Sequence, residues 1–342
     1  MRRTALILLS LAAATAQAEL KALDDEELSS VEGAGIGFVL EQVLLDANNA
    51  TITINDITNA AKQNVPIAVK EFYLGAAGSN KGANLSPVTI GRLNHPFALN
   101  LAKGEAMLTL RDDGQWVQTT PSNVTVLEFM FPERLIGAGG QTCIAGFAAA
   151  GSNCTSRASE KVDLGIRFDF QVAAGRTDIL NLDFSELTMD GSYLRLWGDS
   201  SRNQMVGEAR INLFTKSLQI MSCAANTSGC TSATEQRDRT LFLNDAYANI
   251  SLGYGKTQPL LFDVSSNGQF VLELPNPTAS GTTQAQKDAL AADFYANAPR
   301  TNIVINSLQS GSGSFSSGGY NFGYNAIQGL GINYLKVTSH DL

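Results

Sequence analysis

Lys161–Val172 reads K-V-D-L-G-I-R-F-D-F-Q-V, and this run decides the fold. Val162, Leu164, Ile166, Phe168, Phe170 and Val172 alternate with Lys161, Asp163, Gly165, Arg167, Asp169 and Gln171. A period of two is that of a β-strand with one buried and one wet face. The apolar set is therefore expected inward and the charged set in solvent. Leu180, Leu182 and Phe184 repeat the pattern, followed by Leu187 and Met189. A turn at Asp190-Gly191 leads into Leu194-Arg195-Leu196-Trp197, and Ile211, Leu213, Leu218 and Ile220 carry the alternation on to Cys223.

Working outward, residues 36–45 are apolar and fit strand or helix. Thr51–Ile57, residues 65–74 and residues 88–101 read as strands. Asp-Gly and Asn-Gly suit tight hairpins because Asn, Asp and Gly tolerate positive φ. Such turns are expected at Asp113-Gly114, between Leu108–Leu110 and Trp116-Val117, and again at Asp190-Gly191. The clearest is Asn267-Gly268, with Phe262 and Val264 facing Phe270, Leu272 and Leu274. A helix over 284–296 is predicted from Thr283 as cap, Gln286 completing a capping box, and Ala289, Leu290 and Phe294 on one face before Pro299. Residues 137–160 and 224–239 read as polar loops, residues 310–319 as a flexible Gly/Ser loop, and 320–335 as strand. The fold expected is all-β: one large antiparallel domain over residues 35–342. It would be built as an elongated sandwich or as a twisted single sheet curled around its own core, with one or two short helices.

The chain has 342 residues, 44% hydrophobic and only 16% charged. A large core is available, and the surface must be covered by neutral polar side chains. With 24 basic and 32 acidic residues the net charge is −8. Nucleic acid and anionic membrane surfaces would be repelled.

Residues 1–18 have the form of a secretory signal: Arg2 and Arg3, an apolar run from Ala5 to Ala14, and a small-x-small site ending at Ala18. That run is too short for a transmembrane helix, and none is expected later. Export implies an oxidising compartment for Cys143, Cys154, Cys223 and Cys230. Three pairings are open, and local pairs would staple the loops 143–154 and 223–230.

Residues 23–34, L-D-D-E-E-L-S-S-V-E-G-A, read as a short acidic helix. Asp24 caps it, Glu27 completes a capping box, and Gly33 ends it. The same segment resembles double-glycine leaders, which papain-like exporter peptidases cut. Leu23, Glu27, Leu28, Val31, Gly33 and Ala34 fill the pattern, which implies processing after Ala34.

Catalytic motifs are weak. Gly253-Tyr254-Gly255-Lys256-Thr257 ends like a phosphate-binding loop, but Ile250 stands where that loop needs its first glycine, so a turn between strands is expected. His95 precedes Pro96 and reads as a loop histidine, no G-x-S-x-G elbow exists, and the other histidine, His340, is remote. The acids Asp112-Asp113, Glu133, Asp183 and Glu186 mostly alternate with apolar residues, as solvated strand faces do. The reading is of a non-enzyme without catalytic residues, metal or cofactor. Aromatics are the remaining candidates for contact: Tyr193 and Trp197, and Tyr320, Phe322 and Tyr324 on one strand face.

Three stretches resemble the Fil-type (FilA-like) pilus-system proteins of Gram-negative bacteria. They are Leu23–Gly35 after the signal, Leu252–Leu260 (L-G-Y-G-K-T-Q-P-L), and the ending Ile332–Leu342 (I-N-Y-L-K-V-T-S-H-D-L). The resemblance implies an exported cell-surface, pilus-associated or outer-membrane-associated structural protein whose partners are other pilus or surface-assembly proteins and a papain-like leader peptidase. Strand addition through Thr51–Ile57 or Ile332–Val337 would supply assembly. Two other readings are an outer-membrane β-barrel and a periplasmic or extracellular lipid- or glycan-binding protein.

Overall fold

The computed structural model describes residues 33–55, 57–59, 61–80, 83–111, 115–132, 160–173, 176–311 and 319–339. The expected leader helix, Ala18, Cys143, Cys154 and most of the Gly/Ser loop lie outside the described residues. The fold is all-β, a large antiparallel sheet with short helices. Its first strands are β1 (Gly33–Phe38), β2 (Leu40–Val43), β3 (Leu45–Asp46), β4 (Ile52–Ile54) and β5 (Ile67–Ala76). Next come β6 (Val88–Ile90), β7 (Phe97–Lys103), β8 (Leu108–Leu110), β9 (Trp116–Gln118) and β10 (Thr125–Met130). The central run is β11 (Val162–Ala173), β12 (Arg176–Leu187), β13 (Tyr193–Asp199) and the 21-residue β14 (Gln204–Ala224). Helices α1 (Ser228–Thr231) and α2 (Ala233–Asp238) lead to β15 (Thr240–Leu252), β16 (Leu260–Val264) and β17 (Phe270–Leu274). Helix α3 (Gln284–Asn297), β18 (Thr301–Ser310), β19 (Tyr320–Leu330) and β20 (Leu335–Thr338) complete the chain.

Strand β14 is the shared spine. Along one edge its amino-terminal part pairs with β13 and its carboxyl-terminal part with β12. Along the other it pairs with β15 and, at Val206 and Gly207, with β16. Two arms result, continuous through β14. One runs β5–β11–β12–β14–β15–β18–β19, with β3 and β4 on the outer side of β5; the other runs β1–β7–β10–β13–β14–β16–β17–β20. Hydrogen bonding thus unites one sheet, which does not close on itself.

Local chemistry explains most boundaries. Asn267-Gly268 forms the expected hairpin turn, with Gly268 at φ +78°. The pairing of β8 with β9 brackets Asp113-Gly114 as expected. Helix α3 carries the Thr283/Gln286 capping box and buries Phe294. Residues 88–101 form two strands instead of one, because a turn through Gly91 and Arg92–His95 separates β6 from β7. Residues 224–239 hold α1 and α2, not only loop; Ser232 caps α2 by accepting from the Glu235 amide. Cys223 bonds Cys230, tying the end of β14 to α1.

Asp190-Gly191 is a turn but not a hairpin. Strands β12 and β13 lie end to end along one edge of β14, bridged by Thr188 to Phe214 and by Ser192 to Asn212. Gly191, at φ +75°, takes up the extra residue between them.

The alternation is present, but on β13 and the first half of β14 the faces are reversed from expectation, whereas on β11 Val162 is buried and residues 166–170 are half-buried on both faces. On β13 the buried side chains include Arg195 and Trp197, while Leu194 is exposed. On β14, Val206, Glu208, Arg210, Asn212 and Phe214 are buried, while Met205 and Ile211 are exposed. On β12, Asn181 and Asp183 are buried, and Leu180, Leu182 and Phe184 are half-buried. Register extends each set across strands. Asn100–Glu128–Arg195–Glu208 forms one polar row. Leu74–Leu164–Phe184–Leu218–Leu243–Leu308 forms an apolar row on the opposite face. The small β2–β6 sheet covers part of that row through Val43, Val88 and Ile90.

Gly165 shows how tightly the polar side is filled. A Cβ there would stand 2.0 Å from the Tyr73 ring, whose hydroxyl donates to Asp183 at 3.4 Å. Gly165→Ala should destabilise the protein by about 1–3 kcal/mol in urea unfolding, the usual cost of overpacking. A Gly198→Ala control, where nothing lies within 4 Å, should change little.

Candidate interaction surfaces and the charge cluster beneath them

Arg195 sits on the buried side of β13 between two carboxylates. Its Nε donates to Glu128 Oε1 at 2.8 Å and its Nη1 to Glu208 Oε1 at 2.9 Å. Nη1 also reaches Thr109 and Thr119, and Nη2 donates to the Leu108 carbonyl. The Tyr193 ring lies 4.0 Å from the guanidinium carbon, and Tyr193 shares a hydrogen bond with Thr109. The carboxylates are completed from other elements: Asn100 donates to Glu128, and Thr119 and the Gly255 amide donate to Glu208. The cluster therefore binds β7, β10, β13 and β14 to the β8–β9 hairpin, which lies over the polar face. Arg210, two positions beyond Glu208, is also fully buried. Asn249, in the amide orientation that satisfies its neighbours, accepts from Arg210 Nε and Nη2 at 2.8 and 2.6 Å.

Over this cluster sits the turn Tyr254–Gln258 between β15 and β16. The Lys256 amide donates to the Thr119 carbonyl at 2.9 Å, and a Cβ on Gly255 would meet the Trp197 ring at 2.7 Å. The buried Gln258 amide donates to the carbonyls of Pro275, Ile332 and Asn333 at 2.9–3.0 Å. Here two stretches that carried the sequence resemblance touch: the turn clamps the segment leading into β20. A phosphate cradle aims amides at a ligand, whereas the Gly255 amide is held by a carboxylate and that of Lys256 by a carbonyl. The turn reading is the correct one for this motif. Tyr254 packs edge-on against Phe294 of α3. Burial pushes the Tyr254 hydroxyl well above its ordinary pKa, and the Asp293 carboxylate adds to the effect.

The aromatic candidates separate into two classes. Tyr193 and Trp197 are not surface contacts: Trp197 is 4% exposed, packed with Met107, Val126 and Val206, and Tyr193 faces Arg195. Their strand turns its polar-side residues inward. Tyr320, Phe322 and Tyr324 are 39%, 50% and 56% exposed on β19, which among the described residues pairs with β18 alone. They do not share one flush face. Phe322 has no partner on β18 because the register shifts there, and Gly323 takes φ +70°. The rings of Tyr320 and Phe322 meet edge to face at 4.5 Å. Ile327 and Leu330 extend the exposed apolar edge.

The two segments suggested for donation to another subunit are already paired internally, β4 with β5 and β20 with β17. Gly33 and Ala34, the candidate processing site, begin β1, where Gly33 pairs with Leu101. His95 closes a tight turn with Arg92. Asp183 is buried, and Glu186 pairs with Lys161 instead of standing free in solvent. Among the described residues, no three His, Cys, Asp or Glu side chains are grouped to hold a metal. No protein-family model, curated protein or solved structure matches the chain.

Arg195 itself was invisible as a key residue, since it alternates with leucines like any solvated strand charge. Arg195→Met strands two buried carboxylates and should cost about 3–5 kcal/mol in urea unfolding. Removing the stranded charges with Glu128→Gln and Glu208→Gln in the same chain should recover a large part of the loss.

Proposed function

We propose that the protein is an exported surface- or pilus-associated structural component, not an enzyme, which joins partner subunits by strand addition. The carrying observation is β19. It is an 11-residue strand with one edge paired to β18, exposing Tyr320, Phe322, Tyr324, Ile327 and Leu330. Soluble β proteins blunt such edges with charge, proline or short strands. Residues 320–330 contain no charged residue and no proline. Register shifts interrupt the edge at Phe322–Gly323 and again between Ile327 and Leu330, where Gly329 takes φ +72°, and leave Asn325–Ile327 in regular pairing between them. Main-chain bonds of an added strand would supply affinity, and the aromatics would supply side-chain selectivity.

The sequence resemblance supports the same reading, since its inner and terminal stretches serve as structure. The Tyr254–Gln258 turn holds β20 in place, so the fold spends its most distinctive residues on assembling itself. Ile327→Lys combined with Phe322→Lys should abolish co-purification with the proteins encoded beside it. Its own unfolding midpoint should move little, because both side chains stand in solvent. Retained co-purification with a native-like midpoint would remove β19 from this role.

A further inference from the structure

We propose that the apolar face of the β1–β7–β10–β13–β14 arm is a lipid-contact surface that takes acyl chains. Ile36, Leu99, Leu127, Leu194, Met205 and Ile211 are between 36% and 66% exposed on it. Two cross-strand rows build the face. Ile36–Leu99–Phe129–Leu194–Ala209–Leu252 is one, and Leu101–Leu127–Leu196–Gly207–Leu260 the other, which passes under cover at the buried Gly207 and Leu260. Neither row contains an ionisable or hydrogen-bonding side chain. The opposite side of the same strands carries the row Asn100–Glu128–Arg195–Glu208, whose three charged members are buried.

That polarity is the reverse of what water selects and the arrangement that hydrocarbon selects: polar groups satisfied within, aliphatic groups without. The chemistry of the face, more than its extent, argues against a protein occupant. Six strands from β1 to β15 at about 4.8 Å spacing, with Met205 and Ile211 about 20 Å apart along β14, give a face of several hundred Å², near one partner's share of a standard interface. Protein interfaces of that size carry about one hydrogen bond per 100–200 Å² and favour Arg, Tyr and Trp beside Phe and Met. These rows offer leucine, isoleucine, alanine and phenylalanine with nothing to bond. A cleft of about 780 Å³ adjoins the face, lined by Leu101, Leu127, Leu196 and Met205 together with the polar Thr125, Asp199, Asn203 and Gln204. Such a cleft suits a flexible chain under a polar head group. The acidic net charge of −8 excludes attraction to anionic head groups as the driving force. Contact should therefore survive high salt.

The test uses full-length protein and phosphatidylcholine vesicles. A Leu194→Cys variant labelled with an environment-sensitive fluorophore should show emission shifted to shorter wavelength when vesicles are added. A Lys287→Cys label on α3 should not respond. Unlabelled protein should float with vesicles in both low and 1 M salt (about a 3 Å Debye length), and Leu194→Asp should lose flotation. Emission at position 194 that is already blue-shifted without lipid, and follows protein concentration, would assign the face to a second copy and overturn the proposal. Emission blue-shifted at every concentration and indifferent to vesicles would mean that the chain itself covers the face, and would equally overturn it. So would protein that stays at the bottom of the gradient.

Discussion

A single guanidinium organises the sheet. Arg195 is enclosed on the buried side of β13 and bonded to Glu128 on one neighbouring strand and Glu208 on the other. A buried charge of this kind contributes little net stability compared with well-packed hydrocarbon, but removing one member is costly. Its effect is on register. A slip of β13 by one residue would turn Arg195 to the outer face and bring Leu194 or Leu196 against two carboxylates. The Thr109 and Thr119 hydroxyls and the Gly255 amide extend the same constraint to the β8–β9 hairpin and the turn before β16. From there Gln258 carries it to the carboxyl-terminal strand.

The hydrophobic clusters are correspondingly small. Met107, Val126, Trp197 and Val206 form one, and Val88, Val162 and Leu187 another. Neither extends over the sheet. Between them the interior holds hydrogen-bonded polar side chains, as Arg210 with Asn249 and Arg195 with Glu128 and Glu208. In a low-dielectric interior, fully bonded polar networks specify one arrangement because any misfit leaves a group unpaired. The sheet can therefore branch at β14 without losing definition, while its aliphatic residues remain free to face outward.

The sequence made the period legible and hid the sign. Val162 to Val172 alternates as a strand must, and β11 is a strand. Alternation alone does not say which set turns inward. The default inference is that hydrocarbon does, and it fails at Leu194/Arg195 and at Ile211/Arg210. What would have corrected it is the cross-strand view: Glu128 and Glu208 meet Arg195 only after three strands are aligned. Local signals survived well, as at Asn267-Gly268 and the Thr283 cap, because they depend on a few adjacent residues. Asp190-Gly191 misled because the same positive-φ glycine can serve a hairpin or an extra residue within one long edge. The exposed aromatics divided for the same reason. Tyr193 and Trp197 share the face of Arg195, while Tyr320, Phe322 and Tyr324 lie on the outermost described strand of their arm, a position that no single-strand pattern reveals.

The account turns on which face of the central strands looks outward. Spin labels placed singly at each position from Tyr193 to Asp199 would read this directly through collision with a water-soluble relaxation agent and with oxygen. The orientation described here predicts that labels at 194, 196 and 198 are mobile and accessible to oxygen, while those at 195 and 197 are immobile and reached by neither agent. Accessibility in the opposite phase, with position 195 open to the water-soluble agent and 194 protected, would contradict it.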